Sequence, residues 1–379
     1  MATDIELHRP LIGQQGSRHA LNTPVLVLDH DALTRNIATM AAFAKDHGIA
    51  LRPHAKTHKS AHIARLQIAA GAVGICCAKL GEAEALAAES VASILITSPV
   101  VTPQAIARLV TLHDRMDDLR VVVDHPDNVT AISAAFVAVS KPLTLLVDID
   151  PGIRRTGVAS PEAALALARR VIATPNLSFG GVQMYCGAQQ HIEDFAERRA
   201  AIEERTAYLG TVLDLLRGAG IDVPVVTGGG TGTHHIDASL GVFSELQVGS
   251  YVFMVRQYNE CDLTGAGGAP YETALFIDAR IVSANAPGMA TIDSGFKSMS
   301  TDGGSPSVVA GAPEGVKFFF MGDEHGALVA PGHAFRLGDL VTLAAPHCDP
   351  TVNLYDAYHI VRGETLIDIW PVTARGRSR

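Results

Sequence analysis

Short apolar runs alternate with longer mixed stretches along the chain from residue 49 onward. The short runs are rich in Val, Ile and Leu and predict strands, whereas the longer stretches place Ala and Leu at helical spacing. Strands are predicted at 49–56, 74–78, 93–97, 119–124, 143–149, 177–185, 223–227 and 244–248. Eight strands that alternate with helices predict an α/β fold, a parallel (β/α)8 barrel of the TIM type.

The pattern differs on either side of this repeat. Residues 29–48 predict a leading helix, with Asp29 or Asp31 as its N-cap and Gly48 at its end. After residue 256, strand-like runs follow one another without a helix between them, at 273–285, 289–295, 316–330, 339–347 and 358–370. We therefore predict a barrel (29–255), a C-terminal all-β domain (256–379) and an N-terminal segment (1–28) that packs with the β domain.

Composition and charge narrow the function. The 379 residues include 30 Lys and Arg against 39 Asp and Glu, without a basic tail or stripe, so we expect a small-molecule ligand and neither nucleic acid nor membrane as partner. No run of about 20 apolar residues and no signal-peptide pattern is present, which predicts a cytoplasmic protein. The five cysteines form no CxxC pair and predict buried thiols, not disulfides or a zinc knot.

The stretch RPHAKTHKS ends the first predicted strand. In such a barrel the active site lies at the carboxyl ends of the strands. Because strand side chains alternate, one set faces the lumen or mouth: Arg52, His54, Lys56 and, if the strand continues, His58. Lys59 has the opposite parity. Lys56 is then either an ion-pair partner at the barrel mouth or a partly desolvated lysine with a depressed pKa that forms a Schiff base with a carbonyl compound.

Glycine-rich loops after the last two barrel strands favour the Schiff-base alternative. The seventh strand runs into TGGGTG (227–232) and the eighth into QVGSY (247–251). TIM-type barrels commonly bind phosphate in these two loops, where glycine lets backbone N–H groups approach the oxygens. A phosphate-bearing aldehyde held by a lysine describes pyridoxal 5′-phosphate (PLP).

Other positions carry candidate chemistry. Arg155 follows the fifth strand and is placed to reach a cofactor ring, while Tyr185 ends the sixth strand and His191 follows it. In the second domain His347 and Asp349 are two residues apart, so in an extended segment both would point the same way, as two ligands of one divalent ion would. Imidazole plus carboxylate suits Mn²⁺ or Mg²⁺, and Zn²⁺ is a further candidate.

Several motifs together resemble one family. RPHAKTHK, GICCAKLGEAEAL, GGGTG, ELQVGSY, GDEHG and PHCDPTVNLYD are similar, in this order and across nearly the whole chain, to the D-threonine aldolase family of PLP enzymes with the alanine-racemase fold. The resemblance implies that Lys56 is the Schiff-base lysine and that Arg155 and Tyr185 lie against the cofactor ring. It implies a phosphate site made of Gly229, Gly230, Thr231, Gly232, Gln247, Gly249, Ser250 and Tyr251. It also implies that His347 and Asp349 bind the divalent metal.

The activity implied by the resemblance is retro-aldol cleavage of a D-3-hydroxy amino acid, such as D-threonine, to glycine and an aldehyde. His191 or His58 would take the hydroxyl proton. Family members are typically homodimers in which the partner's β domain closes each active site, and we expect the same here.

Related D-serine and 3-hydroxyaspartate dehydratases tend to have cysteine at the position of Asp349, so the aspartate favours the aldolase branch. The alternatives that stay open are a D-3-hydroxyaspartate aldolase, a D-serine or 3-hydroxyaspartate dehydratase and a PLP carrier. Residues 256–379 argue against the carrier, because single-domain PLP carriers lack this domain.

Overall fold

A computed structural model describes residues 3–379. The strands, numbered along the chain, are β1 (Val25–Asp29), β2 (Ala50–Leu51), β3 (Ile75–Cys77), β4 (Ser93–Ile96), β5 (Asp118–Val123), β6 (Leu143–Ile149), β7 (Leu177–Met184), β8 (Val225–Gly228), β9 (Glu245–Leu246), β10 (Leu275–Ala286), β11 (Met289–Ile292), β12 (Ser307–Ala310), β13 (Lys317–Phe320), β14 (Gly326–Val329), β15 (Leu340–Ala344), β16 (Ala357–Arg362) and β17 (Thr365–Pro371). The α-helices are α1 (Asp4–His8), α2 (His30–Asp46), α3 (Ala61–Ala69), α4 (Leu80–Ala88), α5 (Pro103–Asp114), α6 (Pro126–Ala135), α7 (Pro161–Ile172), α8 (Phe195–Gly218), α9 (His234–Leu240), α10 (Arg256–Asn259) and α11 (Cys348–Val352).

Strands β2 to β9 form a parallel barrel. The strands lie side by side in the order β3-β4-β5-β6-β7-β8-β9-β2. A parallel bridge between His54 and Cys76 joins the two ends of the sheet, so the sheet closes on itself. Helices lie between successive strands, as a right-handed crossover between parallel strands requires. The predicted α/β class and the (β/α)8 barrel are therefore confirmed.

Side chains fill the barrel interior in layers. An apolar layer consists of Cys76, Leu95, Val122 and Leu146. Towards the amino ends of the strands, the buried Arg52 donates from Nε to Glu245 at 3.1 Å and from a terminal nitrogen to Ser93 at 2.7 Å. Because these layers close the lumen, a ligand can enter only at the carboxyl ends of the strands.

The first barrel strand is shorter than the predicted 49–56. Regular pairing covers only β2, because Pro53 has no N–H to donate to a sheet. His54 still donates its N–H, at 2.9 Å, to the segment that follows β9. The chain then turns at residues 55–58, so alternation along a strand no longer applies beyond His54.

The C-terminal domain is built on a second sheet. Its strand order is β13-β14-β11-β10-β1-β16-β17, and β15 pairs with both β10 and β12. The predicted β domain is thus confirmed, with additions: β12 was not predicted, the short helix α10 precedes the first of these strands, and α11 lies between β15 and β16. The N-terminal strand β1 pairs antiparallel with β10 and parallel with β16, so the beginning of the described chain joins this domain.

Other local predictions can be compared with the structure. The leading helix is α2, and Asp29 is its N-cap, because one carboxylate oxygen accepts the N–H groups of Asp31 and Ala32, each at 2.9 Å. All five cysteines are buried free thiols, as predicted. Among residues 3–379, no helix has both the length and the apolar composition of a membrane span.

Candidate active site

The side chain of Lys56 lies at the carboxyl ends of the barrel strands and meets the second domain there. Its Nζ is 2.7 Å from Oδ1 of Asp349, in the first turn of α11. Oγ1 of the neighbouring Thr57 lies 3.4 Å from the other oxygen of this carboxylate. The predicted reactive lysine and a predicted metal ligand are therefore in direct contact.

This contact changes the expected ionisation of Lys56. Burial by itself would lower the pKa of Lys56, but the carboxylate of Asp349 outweighs burial and raises it. Burial would likewise raise the pKa of Asp349, yet Lys56 and His347 hold it well below its usual range. The predicted depressed pKa of Lys56 is wrong for this ion pair, because its acid partner lies 293 residues away in sequence and was not considered.

His347 is arranged like a metal-binding histidine. Its Nδ1 lies 2.7 Å from Oδ2 of Asp302, and its Nε2 is 3.6 Å from Oδ2 of Asp349. A carboxylate that orients an imidazole through its second nitrogen is common behind metal ligands. Adjacent ligand atoms of one ion, each about 2.1 Å from it, are about 3 Å apart. The pair therefore fits a divalent cation.

The metal-ligand segment differs from its predicted conformation in one respect. His347 is the N-cap of α11 and Asp349 lies in its first turn, so the segment is not extended. An aspartate and Pro350 in the first turn both favour a helix start, which explains the difference. Among residues 3–379, no group of three or more His, Cys, Asp or Glu side chains could hold a metal; a cation at this pair would need further ligands from water or substrate.

Two connected spaces surround Lys56. The larger is a cavity of about 610 Å³, whose lining includes His54, Lys56, Lys79, Thr97, Asp124, Arg155, Gln183, Tyr185 and Gln247. The smaller is a recess of about 30 Å³ that shares His54, Lys56, Tyr185 and Gln247 with the cavity and is also lined by Thr57, Gly230, Thr231, Gly249, Ser250 and Tyr258. Lys56 and most of the predicted phosphate residues therefore border the same space.

The recess offers the hydrogen-bond donors that a phosphate group needs. Oγ1 of Thr231 accepts the N–H of Tyr251 at 3.0 Å, so the hydroxyl proton of Thr231 is available to a ligand. Within residues 3–379, the backbone N–H groups of the buried Thr231 and Ser250 have no acceptor. Buried N–H groups without an acceptor are rare in folded proteins. These residues fit the phosphate of PLP.

Arg155 and Tyr185 form one wall of the cavity. The guanidinium carbon of Arg155 lies 5.4 Å from the ring centroid of Tyr185, a cation–π distance. Burial raises the pKa of the Tyr185 phenol, which is therefore neutral near pH 7. The structure thus places both side chains beside Lys56, where the sequence resemblance puts a cofactor ring.

The histidines predicted as bases lie in different environments. His58 is buried, with Nε2 3.2 Å from Oε1 of Gln67 and Nδ1 accepting the N–H of Ser60 at 3.1 Å. Burial lowers the pKa of His58 to about 4. It does not line the cavity, because the chain turns at residues 55–58 and the strand does not continue to His58, which was the condition for it to share the side of Lys56.

His191 lies closer to the cavity and partly faces solvent. Its ring centroid is 4.5 Å from that of Tyr258, which lines the recess. Partial burial, followed by the charges of His347 and Lys56, lowers the pKa of His191. A neutral imidazole at this position can accept a proton near pH 7.

Comparison with known proteins places the chain in a family. Residues 28–257 match the alanine racemase N-terminal domain, and residues 274–361 match a putative serine dehydratase domain. The chain is 39% identical over 363 residues to the D-threonine aldolase of Arthrobacter sp., with 95% of this chain and 94% of that protein covered. The chain belongs to the D-threonine aldolase family.

Two further comparisons agree with this family. The chain is 38% identical over 362 residues to the 3-hydroxy-D-aspartate aldolase of Paracoccus denitrificans (strain Pd 1222), with 94% of this chain and 93% of that protein covered. The crystal structure of D-threonine aldolase from Filomicrobium marinum superposes with a TM-score of 0.91 at 37% identity, covering 94% of this chain and 97% of that one. The family resemblance predicted from the motifs is confirmed.

One buried carboxyl group near the site of this family member was not predicted from its sequence. Oδ2 of Asp237 accepts the hydroxyl of Thr233 at 2.6 Å, directly behind the glycine loop. A Cβ at Gly229 would lie 2.6 Å from the same oxygen, so this glycine makes room for the carboxyl group. Burial raises the pKa of Asp237 to about 7. The spacing of four residues between Thr233 and Asp237 was the available signal.

The raised pKa of Asp237 predicts how stability depends on pH. The folded protein holds this proton up to about pH 7, whereas the unfolded chain releases it near pH 4. Stability therefore falls as pH rises between these values, and the full cost of ionising the buried group is present above about pH 7. Asp237→Asn stays neutral, so we expect it to stabilise the cofactor-free protein at about pH 8, by on the order of 4 kcal/mol, and to have little effect near pH 4.

Denaturant unfolding at the two pH values measures this difference. Asp214→Asn, on the exposed side of α8, is the matched control and should change stability little at either pH. An Asp237→Asn effect that is the same at both pH values would contradict the assignment.

Proposed function

We propose that this protein is a PLP- and divalent-metal-dependent aldolase that cleaves D-threonine and related D-3-hydroxy amino acids to glycine and an aldehyde. The proposal includes a homodimer in the cytoplasm. The observation that carries it is the position of Asp349, which lies 2.7 Å from Lys56 and 3.6 Å from His347. Lys56, the lysine for an aldehyde cofactor, lines the substrate-sized cavity, and the ligand pair for a cation lies directly against this lysine.

The barrel residues are suited to binding the cofactor. Lys56 is placed to hold its aldehyde carbon, and Thr231 and Ser250 have free donors for its phosphate. Arg155 and Tyr185 form the wall against which its ring would lie. Bound PLP supplies an electron sink for the substrate carbon at which the carbon–carbon bond breaks.

The β domain supplies the second group. His347 and Asp349 would hold the cation, and Asp302 orients the imidazole of His347. Mn²⁺ or Mg²⁺ suits one imidazole and one carboxylate completed by water, and Zn²⁺ is a further candidate. A cation at this pair supplies positive charge that lowers the pKa of a hydroxyl group beside it.

His191 is the candidate that we favour as the base for the substrate's hydroxyl proton. Its ring makes no hydrogen bond within residues 3–379, and its pKa is lowered, so a nitrogen is free to accept a proton. His58 is the weaker candidate, because it is buried and both of its ring nitrogens already have partners.

One observation favours 3-hydroxy-D-aspartate as a second substrate. Lys79 lines the cavity, and within the described range 3–379 its ammonium group has no ion-pair partner. The side chain of this substrate ends in a carboxylate, which a lysine attracts, whereas that of threonine ends in a methyl group. The relative from Paracoccus is named for the same substrate.

Product analysis tests the reaction type. We expect purified protein with PLP and Mn²⁺ to release glycine and an aldehyde from D-threonine and not from L-threonine, and to lose this activity when EDTA removes the metal. Parallel reactions with D-serine and 3-hydroxy-D-aspartate identify the preferred side chain. Ammonia and a keto acid would instead indicate a dehydratase, and no turnover with tightly retained PLP would indicate a carrier.

Chemical trapping tests the lysine assignment. We expect borohydride reduction of the PLP-loaded protein to leave the cofactor mass on the peptide that contains Lys56. Lys59 serves as an internal control, since its ammonium is buried and paired with Glu82. Mass spectrometry that located the cofactor on Lys59 or Lys79 would contradict the assignment.

The role of Asp302 in metal binding gives a separate prediction. Asp302→Asn removes the carboxylate that orients His347, and loss of such a partner typically weakens metal affinity about 10- to 100-fold. Titration calorimetry with Mn²⁺ in the absence of substrate measures this change. Asp323→Asn, an exposed position of the same domain, is the control. Equal Mn²⁺ affinity in both variants would show that Asp302 does not support a metal site.

A further inference from the structure

A single side chain, Gln190, holds the glycine loop from behind. Its Oε1 accepts the N–H of Gly232 at 3.0 Å, while its Nε2 donates to Oγ1 of Thr233 at 3.1 Å and to the carbonyl oxygen of Cys186 at 3.2 Å. Gln190 is buried, with 1% of its surface exposed. Both ends of the amide are therefore engaged, so water does not compete for these hydrogen bonds.

The hydroxyl of Thr233 gives this network a fixed direction. It accepts the N–H of Gly230 at 3.2 Å and Nε2 of Gln190 at 3.1 Å. Both of these groups are donors, so the one proton of the hydroxyl must go to Oδ2 of Asp237, 2.6 Å away. The hydrogen bonds thus have only one consistent arrangement, which runs from the glycine loop to α9.

Gln190 also explains the absence of side chains at two positions of the loop. A Cβ at Gly230 would lie 2.4 Å from the side-chain Oε1 of Gln190. A Cβ at Gly232 would lie 2.0 Å from the backbone carbonyl oxygen of Gln190. The N–H groups of both glycines are bound to protein atoms. Thr231, which lies between them, retains a free N–H and a free hydroxyl proton for a phosphate.

Gln190 also belongs to the segment that connects two other residues of the site, Tyr185 and His191. Gln190 lies in the segment between Tyr185, which lines the cavity, and His191, the favoured base. The hydrogen bond from Gln190 to the carbonyl oxygen of Cys186 holds this segment in one conformation. The hydrogen bond from Gly232 to Gln190 joins the segment to the glycine loop.

We propose that Gln190 is a positioning residue, which keeps the glycine loop in the conformation that presents Thr231 to the cofactor phosphate. It ties that loop to the segment carrying Tyr185 and His191. The inference rests on the proposed PLP-dependent function.

Comparing PLP with pyridoxal, which lacks the phosphate, tests this role. In Gln190→Met we expect PLP affinity to fall about tenfold or more, the effect of about one lost buried hydrogen bond, while pyridoxal affinity stays within about twofold. Absorbance titration of the cofactor-free protein measures both. Gln189→Met is the matched control, because Oε1 of Gln189 has no partner within residues 3–379, and it should preserve the ratio of the two affinities.

A second pair of variants keeps the test valid if Gln190→Met does not fold. Thr233→Val removes the hydroxyl that joins Gln190 to Asp237 and should lower the PLP-to-pyridoxal affinity ratio, whereas Thr233→Ser should restore it. Equal losses for PLP and pyridoxal, or equal losses in the Gln189 and Gln190 variants, would overturn the inference. Wild-type protein that binds no PLP would instead contradict the proposed function.

Discussion

The contact between Nζ of Lys56 and Oδ1 of Asp349, 2.7 Å long, makes one site out of two domains. Both groups are partly buried, with 38% of the Lys56 side chain and 15% of the Asp349 side chain exposed, so each charge is stabilised by the partner that the other domain supplies. The sheet of the β domain makes this arrangement possible, because β1, which precedes the barrel, pairs with β10 and β16, which follow it. The chain segments before and after the barrel thus join one sheet. This sheet places α11 at the rim of the barrel, beside Lys56.

Much of this architecture follows from local sequence patterns. Apolar runs separated by helical stretches were sufficient to predict eight parallel strands, because a barrel strand is covered on both sides and its pattern is nearly continuous. Strand ends were less predictable. Pro53 ends regular pairing early in the first barrel strand, and β12 has only four residues, two half-buried and two exposed, which is too short for an alternating pattern to show. Such features depend on hydrogen-bond partners distant in sequence.

The position of the candidate lysine was predictable from the end of the first barrel strand, whereas the contacts around it were not. Parity along an extended strand selected Lys56 over Lys59, and the structure agrees in placing Lys56 at the cavity and Lys59 in a buried pair with Glu82. Lys56 nevertheless lies in the turn that follows the strand, so alternation is not the physical reason for its position. The glycines after β8 were interpreted as sites of phosphate approach. The structure gives three of them a different physical reason: Gly229 makes room for Asp237, and Gly230 and Gly232 make room for Gln190. The four-residue spacing from Thr233 was a signal for Asp237, whereas Gln190 lies 42 residues before Gly232 and could not be assigned to this loop from sequence spacing.

Overall identity cannot decide between the two substrates, since the relatives named for D-threonine and for 3-hydroxy-D-aspartate are 39% and 38% identical to this chain. The charge of the cavity wall is the structural feature that bears on the choice between D-threonine and 3-hydroxy-D-aspartate. Asp124 is the acidic residue of that wall, and its carboxylate already accepts the N–H of Gly157 at 3.0 Å. Lys79 and Arg155 carry two positive charges against this one carboxylate, so these three side chains give the wall a net positive charge. A methyl group gains little from such a wall, whereas a carboxylate on the substrate side chain would pair with it, which is the physical reason for including 3-hydroxy-D-aspartate among the proposed substrates.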